Sequence, residues 1–542
     1  MQGKKHYQEK LFTNFQLSDR VPADNLYRKL KETLDLQFLY AATAKYYGKD
    51  GQKSIDPIVF FKLLLVGYLE NQPSDRRIIS IASMRLDILY FIGYDVDEEL
   101  PWHSTLSRTR QLYDEDVFNQ LFKKVLQLCI DKKMLTGKRQ AVDSVFVKAN
   151  AAMDSVQDIL DDAQVFTDQL KESDPKDTNT QSSENKLIND EPPNSQINEK
   201  EQKRGNANRR SGTDPDSRMS VKPGKVTKLN YLSQLSVDTS GYIITSIGAY
   251  HADKKDCQCL EAVLDRIDEN LKEHGLKVEE AIADTNYSSS TVLESLVSRG
   301  IIGYIPNTGT YKPEREGFIY DDENNLYRCR QGKELKFSGY REQHGTLKLY
   351  SSKCADCKLC PDRPACVGKS KNKVISTSIS KPLFDQMHQR MASAYGKQMM
   401  VIRKSTVEPV IGNLVEYLGM RKVNTIGIKL ANKCMLMAGI AYNLKKLIKY
   451  GIETLQNAIT GFWKYLLNTC SPPLLLHVTF KCDGGQPTVH FSGGHLKMTM
   501  LVQQPRLRLN AKTCECPHSR VSQAWTLATT IIQAWTLEWA RY

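Results

Sequence analysis

The chain has 542 residues, 40% hydrophobic and 25% charged, enough for two to four domains and at least one sizeable core. No apolar run approaches the roughly 20 residues of a membrane span. The start, "MQGKKHYQEKLFTNF", lacks the apolar stretch of a signal peptide, so a soluble cytoplasmic protein is expected. The net charge of +13 favours a polyanionic partner such as nucleic acid, though a merely basic soluble protein fits charge alone equally well.

Residues 1–136 read as a helical domain. In "SIDPIVFFKLLLVGYL" (54–69), Asp56 is a natural N-cap and Pro57 suits the first helical position. The stretches 73–94 and 114–135 predict two further helices. Between them, in "PWHSTLSRTRQLY" (101–113), Ser104 can cap a short helix that presents Arg108 and Arg110. Helix, turn and short basic helix is compatible with a DNA-reading module. An ordinary bundle with a solvated basic face fits as well.

"QAVDSVFVKANA" (140–151) predicts a buried strand with Asp143 in its middle. An unpaired carboxylate there costs several kcal/mol, so something must compensate it. Residues 171–212 hold only Leu187, Ile188, Ile197 and Ala207 as apolar residues and predict a disordered insertion. Two strands follow around "DTSG" within 231–252, then a helix over 256–275. A strand breaks into polar turn residues after Asp284, a helix covers 289–300, and "IIGYIP" (301–306) is another strand. This order predicts an α/β layer fold with a mixed sheet, its first part spanning 137–306.

Residues 307–375 form a cysteine-rich insertion. "YRCRQGKELKF" and "CADCKLCPDRPAC" offer Cys329, Cys354, Cys357, Cys360 and Cys366. Four of these five at C-x2-C spacing suit one structural Zn2+, and free thiols in a loop are the alternative. Cys257 and Cys259 read as packing residues.

Residues 376–460 return to helix and complete the core. Gly396 to Tyr450 hold ten Lys and Arg against Glu408 and Glu416. Residues 461–542 form an atypical tail in which "QAWTL" occurs twice; origin by read-through or a frame change, outside the working enzyme, is one reading.

Asp143 on one strand, Asp284 at the end of another and Glu408 in a basic helix can converge on divalent metal. Hard carboxylate oxygens suit Mg2+ or Mn2+, and two ions about 4 Å apart can clamp the attacking and leaving oxygens of a phosphodiester.

"AVDSVFVKANA", "TDPDSRM" (213–219), "AIADTNYSS" and "STVEPVIGNLVEYLGMRKVNTIGIKLANKCMLMAGIAYNLKKLI" together resemble a DDE transposase of bacterial insertion sequences, specifically the IS1182 group of the IS4-like class. "IDPIVFFKLLLVGYLENQPSDRRI" resembles the helical domain ahead of the catalytic core in such enzymes. The resemblance runs from about residue 10 to 450. It implies an RNase H-like core with Asp143 on the first strand, Asp284 after the fourth and Glu408 on the closing helix. It implies two Mg2+ or Mn2+ ions, DNA cleavage and strand transfer, terminal inverted repeats and target DNA as partners, a homodimer, and a bacterial nucleoid-associated location. It also strengthens the zinc reading. A nuclease that only hydrolyses, and a decayed DNA-binding protein, are the alternatives. The pattern departs from the class around Glu408. Where a tyrosine, an arginine and a later lysine are usual, Val401, Lys404 and Val415 stand here. Lys404 keeps a charge for phosphate, and Arg421 or Lys422 can substitute for the missing lysine.

Overall fold

The computed structural model describes residues 15–48, 54–72, 74–158, 209–220, 226–309, 311–342, 346–469, 477–483, 486–493 and 496–501. The first long helix, α1 (Pro57–Leu69), starts as its sequence dictates. Asp56 accepts hydrogen bonds from the backbone N–H of Ile58 (2.6 Å) and Val59 (3.2 Å), with Pro57 at the first position. Phe60, Phe61, Leu63, Leu64, Leu65 and Val66 are all buried, so α1 is the centre of the helical domain rather than an amphipathic cover.

Residues 73–94, expected as one helix, form two: α2 (Asp75–Met84) and α3 (Leu86–Ile92). The break is Arg85, held extended with its guanidinium on Asp87 (2.7 Å) and Glu70 (2.8 Å). Next come α4 (His103–Leu112) and α5 (Glu115–Asp131). The N-cap of α4 is Trp102, without a side-chain cap, and Ser104 lies inside the first turn. The side chains Arg108 and Arg110 part company. Arg108 is exposed. Arg110 is buried and grips Asp75 with both guanidinium nitrogens, at 2.6 and 3.0 Å. The expectation that Arg110 reaches DNA is therefore corrected: its charge is spent joining α4 to α2.

The central sheet contains β1 (Arg139–Lys148), β2 (Lys228–Asp238), β3 (Ile243–His251), β4 (Glu280–Ile282) and β5 (Ile302–Tyr304). Their spatial order is β3-β2-β1-β4-β5. β1 to β3 pair antiparallel; β1, β4 and β5 pair parallel. That is the mixed-sheet order of the RNase H-like class. α6 (Leu260–Lys272) links β3 to β4, and α7 (Ser290–Ser298) links β4 to β5. The short strand Arg218–Ser220 pairs with the start of β2. Residues 159–208, which include 171–208 of the insertion expected to be disordered, lie outside the described residues. The end of that insertion is ordered: Arg209–Ser211 pairs with Val156–Asp158.

Helix α8 (Lys381–Ala392) and helix α9 (Ala394–Tyr417) divide at Ser393, whose hydroxyl accepts from Gly396 N–H (3.0 Å). Helix α10 (Ile428–Thr469) follows. Its N-terminal end is hooked to the sheet by the "TDPDSRM" stretch. Asp216 accepts the N–H of Ile428 (2.9 Å), and buried Asp214 accepts the N–H of Gly427 (3.1 Å) and the hydroxyl of Tyr231 (2.7 Å). Farther along, Asn432 accepts Ala249 N–H (2.8 Å), and Asn443 bonds both N–H and C=O of Ile244. α10 thus bonds the outer backbone groups of Ile244 and Ala249 on β3, covering part of what would otherwise be an open sheet edge. Lys433, buried on the same helix, donates to the carbonyls of Arg110 (3.0 Å) and Tyr113 (2.5 Å) and ties the helical domain to the core.

The cysteine-rich insertion is more regular than its turns and thiols imply. β6 (Phe318–Asp321), β7 (Leu326–Cys329), β8 (Glu334–Glu342), β9 (Thr346–Ser352) and β10 (Val374–Ser378) form an antiparallel sheet around Tyr327, Leu335, Tyr350 and Ile375. Residues 451–542 form a second unit. Its described strands, β11 (His477–Asp483), β12 (Gln486–Gly493) and β13 (Leu496–Leu501), make a three-stranded antiparallel sheet. Both "QAWTL" copies lie outside the described residues.

Truncating one partner of a buried ion pair leaves an uncompensated charge and costs about 3 kcal/mol or more. Arg110→Ala should lower the urea unfolding free energy by that amount, whereas exposed Arg108→Ala should change it by about 0.5 kcal/mol or less. Equal small effects would contradict the inward role of Arg110.

Candidate active site

Strand pairing decides where the two aspartates lie. In the parallel β1–β4 pair, Ala141 stands beside Ile282. Two residues farther along each chain are Asp143 and Asp284. Side chains repeat their direction every second residue on a strand, so this register brings the two acids to one level at the carboxyl end of β4. Asp143 stays within β1, opposite Leu235, with its side chain 17% exposed. Asp284 leaves β4 and caps the turn Thr285–Tyr287, accepting Asn286 N–H at 3.0 Å.

The third acid comes from α9. The helix lays Arg403, Thr406, Val407, Val410 and Leu414 inward, and Glu408 lies at the rim, half exposed. Pro409 directly follows it inside the helix, where the missing N–H removes one intrahelical bond. Arg403 joins the elements. One guanidinium nitrogen donates to Asp143 Oδ2 at 2.7 Å, and the other faces Glu408 Oε1 at 3.4 Å. Asp143 and Glu408 therefore lie within one guanidinium's span of each other.

Burial pushes the Asp143 carboxyl above the ordinary aspartate range, against the Ser144 N–H and the Arg403 charge, which favour its ionised form. Asp284 is raised by burial first and by the Asp143 charge second. The Asp143 charge felt at Asp284 places the two acids in one electrostatic pocket. Asp256, near the start of α6, pushes both the same way. It is tied to the sheet through Gln234, whose other amide atom accepts the hydroxyl of buried Tyr287 at 2.5 Å.

The donor set suits a hard divalent ion in kind: carboxylate oxygens on separate rigid elements. Among the described residues, no three His, Cys, Asp or Glu side chains are grouped closely enough to hold an ion as they stand. Around Asp143 and Glu408, the guanidinium of Arg403 takes the position between the acids. The same finding bears on zinc. Cys354 and Cys357 sit on the short helix Cys354–Lys358, Cys366 ends Arg363–Cys366, and Cys329 ends β7. Cys354 is exposed, whereas Cys357 is buried and bonded to the Ser352 hydroxyl. The expected zinc site of four among Cys329, Cys354, Cys357, Cys360 and Cys366 is not assembled among the described residues.

Of the basic residues expected at DNA, Lys404 is exposed one position after Arg403 on α9. Arg421 and Lys422 lie beside the end of β1. Lys148 N–H donates to Arg421 C=O at 3.2 Å, and Val423 N–H donates to Lys148 C=O at 3.0 Å. Arg421 also pairs with Glu416. Arg403 itself escaped the sequence reading. The class pattern directs attention four residues before the glutamate, to Lys404, but the inward face of the helix selects the residue one earlier.

Two family models match parts of the chain. A family described as Transposase domain (DUF772) matches residues 15–112, the helical domain. A second, Transposase DDE domain, matches residues 328–448, which include Arg403 and Glu408 and exclude Asp143 and Asp284. No curated protein matches the chain. Among solved structures, a cryo-EM piggyBac transposase synaptic complex with hairpin DNA matches at 10% identity. The likeness covers 80% of this chain and 75% of that one, with a TM-score of 0.31, too low to carry fold or function across.

Both aspartate carboxyls are raised in the fold, so the stability they contribute is full below the ordinary aspartate value of about 3.9 and is lost as pH rises through their raised values. In EDTA at pH 7, Asp284→Asn should therefore melt above the wild type, with the gap closing toward pH 4. A variant that melts lower at pH 7 would contradict the strained pair. The chain thus matches two transposase domains, the second of the DDE type, and these support a DNA transposase, an enzyme that cleaves DNA and transfers its strands.

Proposed function

We propose that Asp143, Asp284 and Glu408 are the catalytic acids, and that the substrate is the terminal inverted repeats of an insertion sequence of the IS1182 group within the IS4-like class. The observation that supports this best is the β1–β4 register, which aligns the two aspartates, together with a helix whose glutamate meets the same guanidinium as Asp143. The acids would hold Mg2+ or Mn2+. Two such ions supply Lewis-acid stabilisation of the attacking and leaving oxygens.

Water attacks the phosphodiester at the element end and releases a 3′-hydroxyl. That hydroxyl attacks a target phosphodiester, the proton is lost to solvent, and one phosphodiester replaces another, so no nucleotide triphosphate is consumed. The protein's part is to orient the strands and keep the acids in register. Lys404, Arg421 and Lys422 lie on or beside the element that carries Glu408 and would contact backbone phosphates; exposed Arg108 would do so from the helical domain. Two ends to be joined call for two copies of the chain on DNA.

Cleavage of a labelled element end in Mg2+ tests the assignment. Asp143→Asn, Asp284→Asn and Glu408→Gln should each lose about 10^3-fold in cleavage rate while still binding the end. Wild-type rates in any of the three would remove that residue from the mechanism. Cleavage without capture of the 3′-hydroxyl by a second DNA would identify a hydrolase instead. Lys404→Gln and Lys422→Gln should weaken end binding across sequences and reduce the salt slope by about 1 each. An unchanged slope would show that the lysine contacts no phosphate.

A further inference from the structure

We propose that Arg403 is the resident cation of the three-acid pocket, a positioning residue whose guanidinium holds Asp143 and Glu408 and must leave that position before a divalent ion can take it. This rests on the reading of Asp143, Asp284 and Glu408 as ion ligands.

Arg403 contrasts with another buried arginine, Arg110. Arg110 holds Asp75 with two short bonds, 2.6 and 3.0 Å, and both side chains are nearly sealed from solvent, at 7% and 14% exposure. That is a permanent clamp. Arg403 is equally buried, at 11%, but its grip is uneven. It gives Asp143 one bond of 2.7 Å and faces Glu408 at 3.4 Å, where the carboxylate is 52% exposed. One end of the bridge is therefore firm and the other is open to water, an arrangement that can release. Asp143, Asp284, Glu408 and nearby Asp256 supply four carboxylates to the region around it, so some cation is needed there whenever no metal is present. A guanidinium and a divalent ion cannot share the same oxygens, because like charges a few ångströms apart in a partly dry pocket repel strongly. The side chain that stabilises the ion-free pocket is thus also a competitor of the ions. Its place on α9, five residues before Glu408, couples that competition to the helix that carries the third acid.

The test uses the full chain and Mn2+ alone, titrated by the loss of its free electron-paramagnetic signal and by melting temperature. Arg403→Gln should lower the melting temperature in EDTA, because Asp143 loses its counter-ion. It should also tighten the apparent Mn2+ affinity about tenfold, within the range typical of coupled sites. The melting rise caused by Mn2+ should then exceed that of the wild type. Arg403→Lys, which keeps the charge without the fork, should fall between the two and remains informative if the glutamine variant does not fold. Affinity equal to or weaker than wild type in both variants would overturn the proposal, and if Asp143→Asn still abolished Mn2+ binding the three-acid reading would stand without it. Wild-type Mn2+ binding in Asp143→Asn would sink both.

Discussion

The structure turns on the difficulty of holding several carboxylates at the carboxyl end of a buried strand pair. The parallel register of β1 and β4 sets Asp143 and Asp284 at one level. Burial and neighbouring carboxylate charge then raise both carboxyls. A site of this kind is unstable by itself and has to be stiffened from outside. Arg403 supplies one answer within the pocket, and the scaffold supplies the rest.

That scaffold is built from backbone satisfaction as much as from apolar packing. Asp214 and Asp216 bond the first N–H groups around the start of α10, where the helix dipole favours negative charge. Asn432 and Asn443 on that helix bond the backbone of Ala249 and Ile244 on β3, so the helix ties down that edge of the sheet. Lys433 reaches in the other direction to the carbonyls that end α4. One helix therefore fixes the sheet, and through it the register of β1, while joining the helical domain to the core. "TDPDSRM" carries no chemistry of its own here: its two acids are helix anchors.

Much of this was legible in the sequence. The strands around "VDSVFVK" and "DTSG" announced themselves through β-branched runs and turn residues, and the acids stood out because an aspartate amid Val142, Val145 and Val147 requires a reason. The strand order followed from resemblance rather than from pattern. What was hidden depended on direction. Arg108 and Arg110 are two residues apart on a helix and so point to different sides; nothing in "SRTRQ" says which side is dry. Arg403 and Lys404 pose the same problem one residue apart. The break at Arg85 is set by partners at Glu70 and Asp87, one of them on another helix. In the cysteine-rich segment, conspicuous thiols drew attention from Tyr327, Leu335, Tyr350 and Ile375, which form its small core.

The central claim is that three acids from β1, the end of β4 and α9 form one ion-binding catalytic pocket. The most direct measurement is a structure of the full chain with element-end DNA and Mn2+, with the ions located by anomalous scattering. The account predicts anomalous peaks about 2.0–2.6 Å from oxygens of Asp143, Asp284 and Glu408, beside the scissile phosphate. Ions bound elsewhere, with the phosphate seated away from these three side chains, would contradict it.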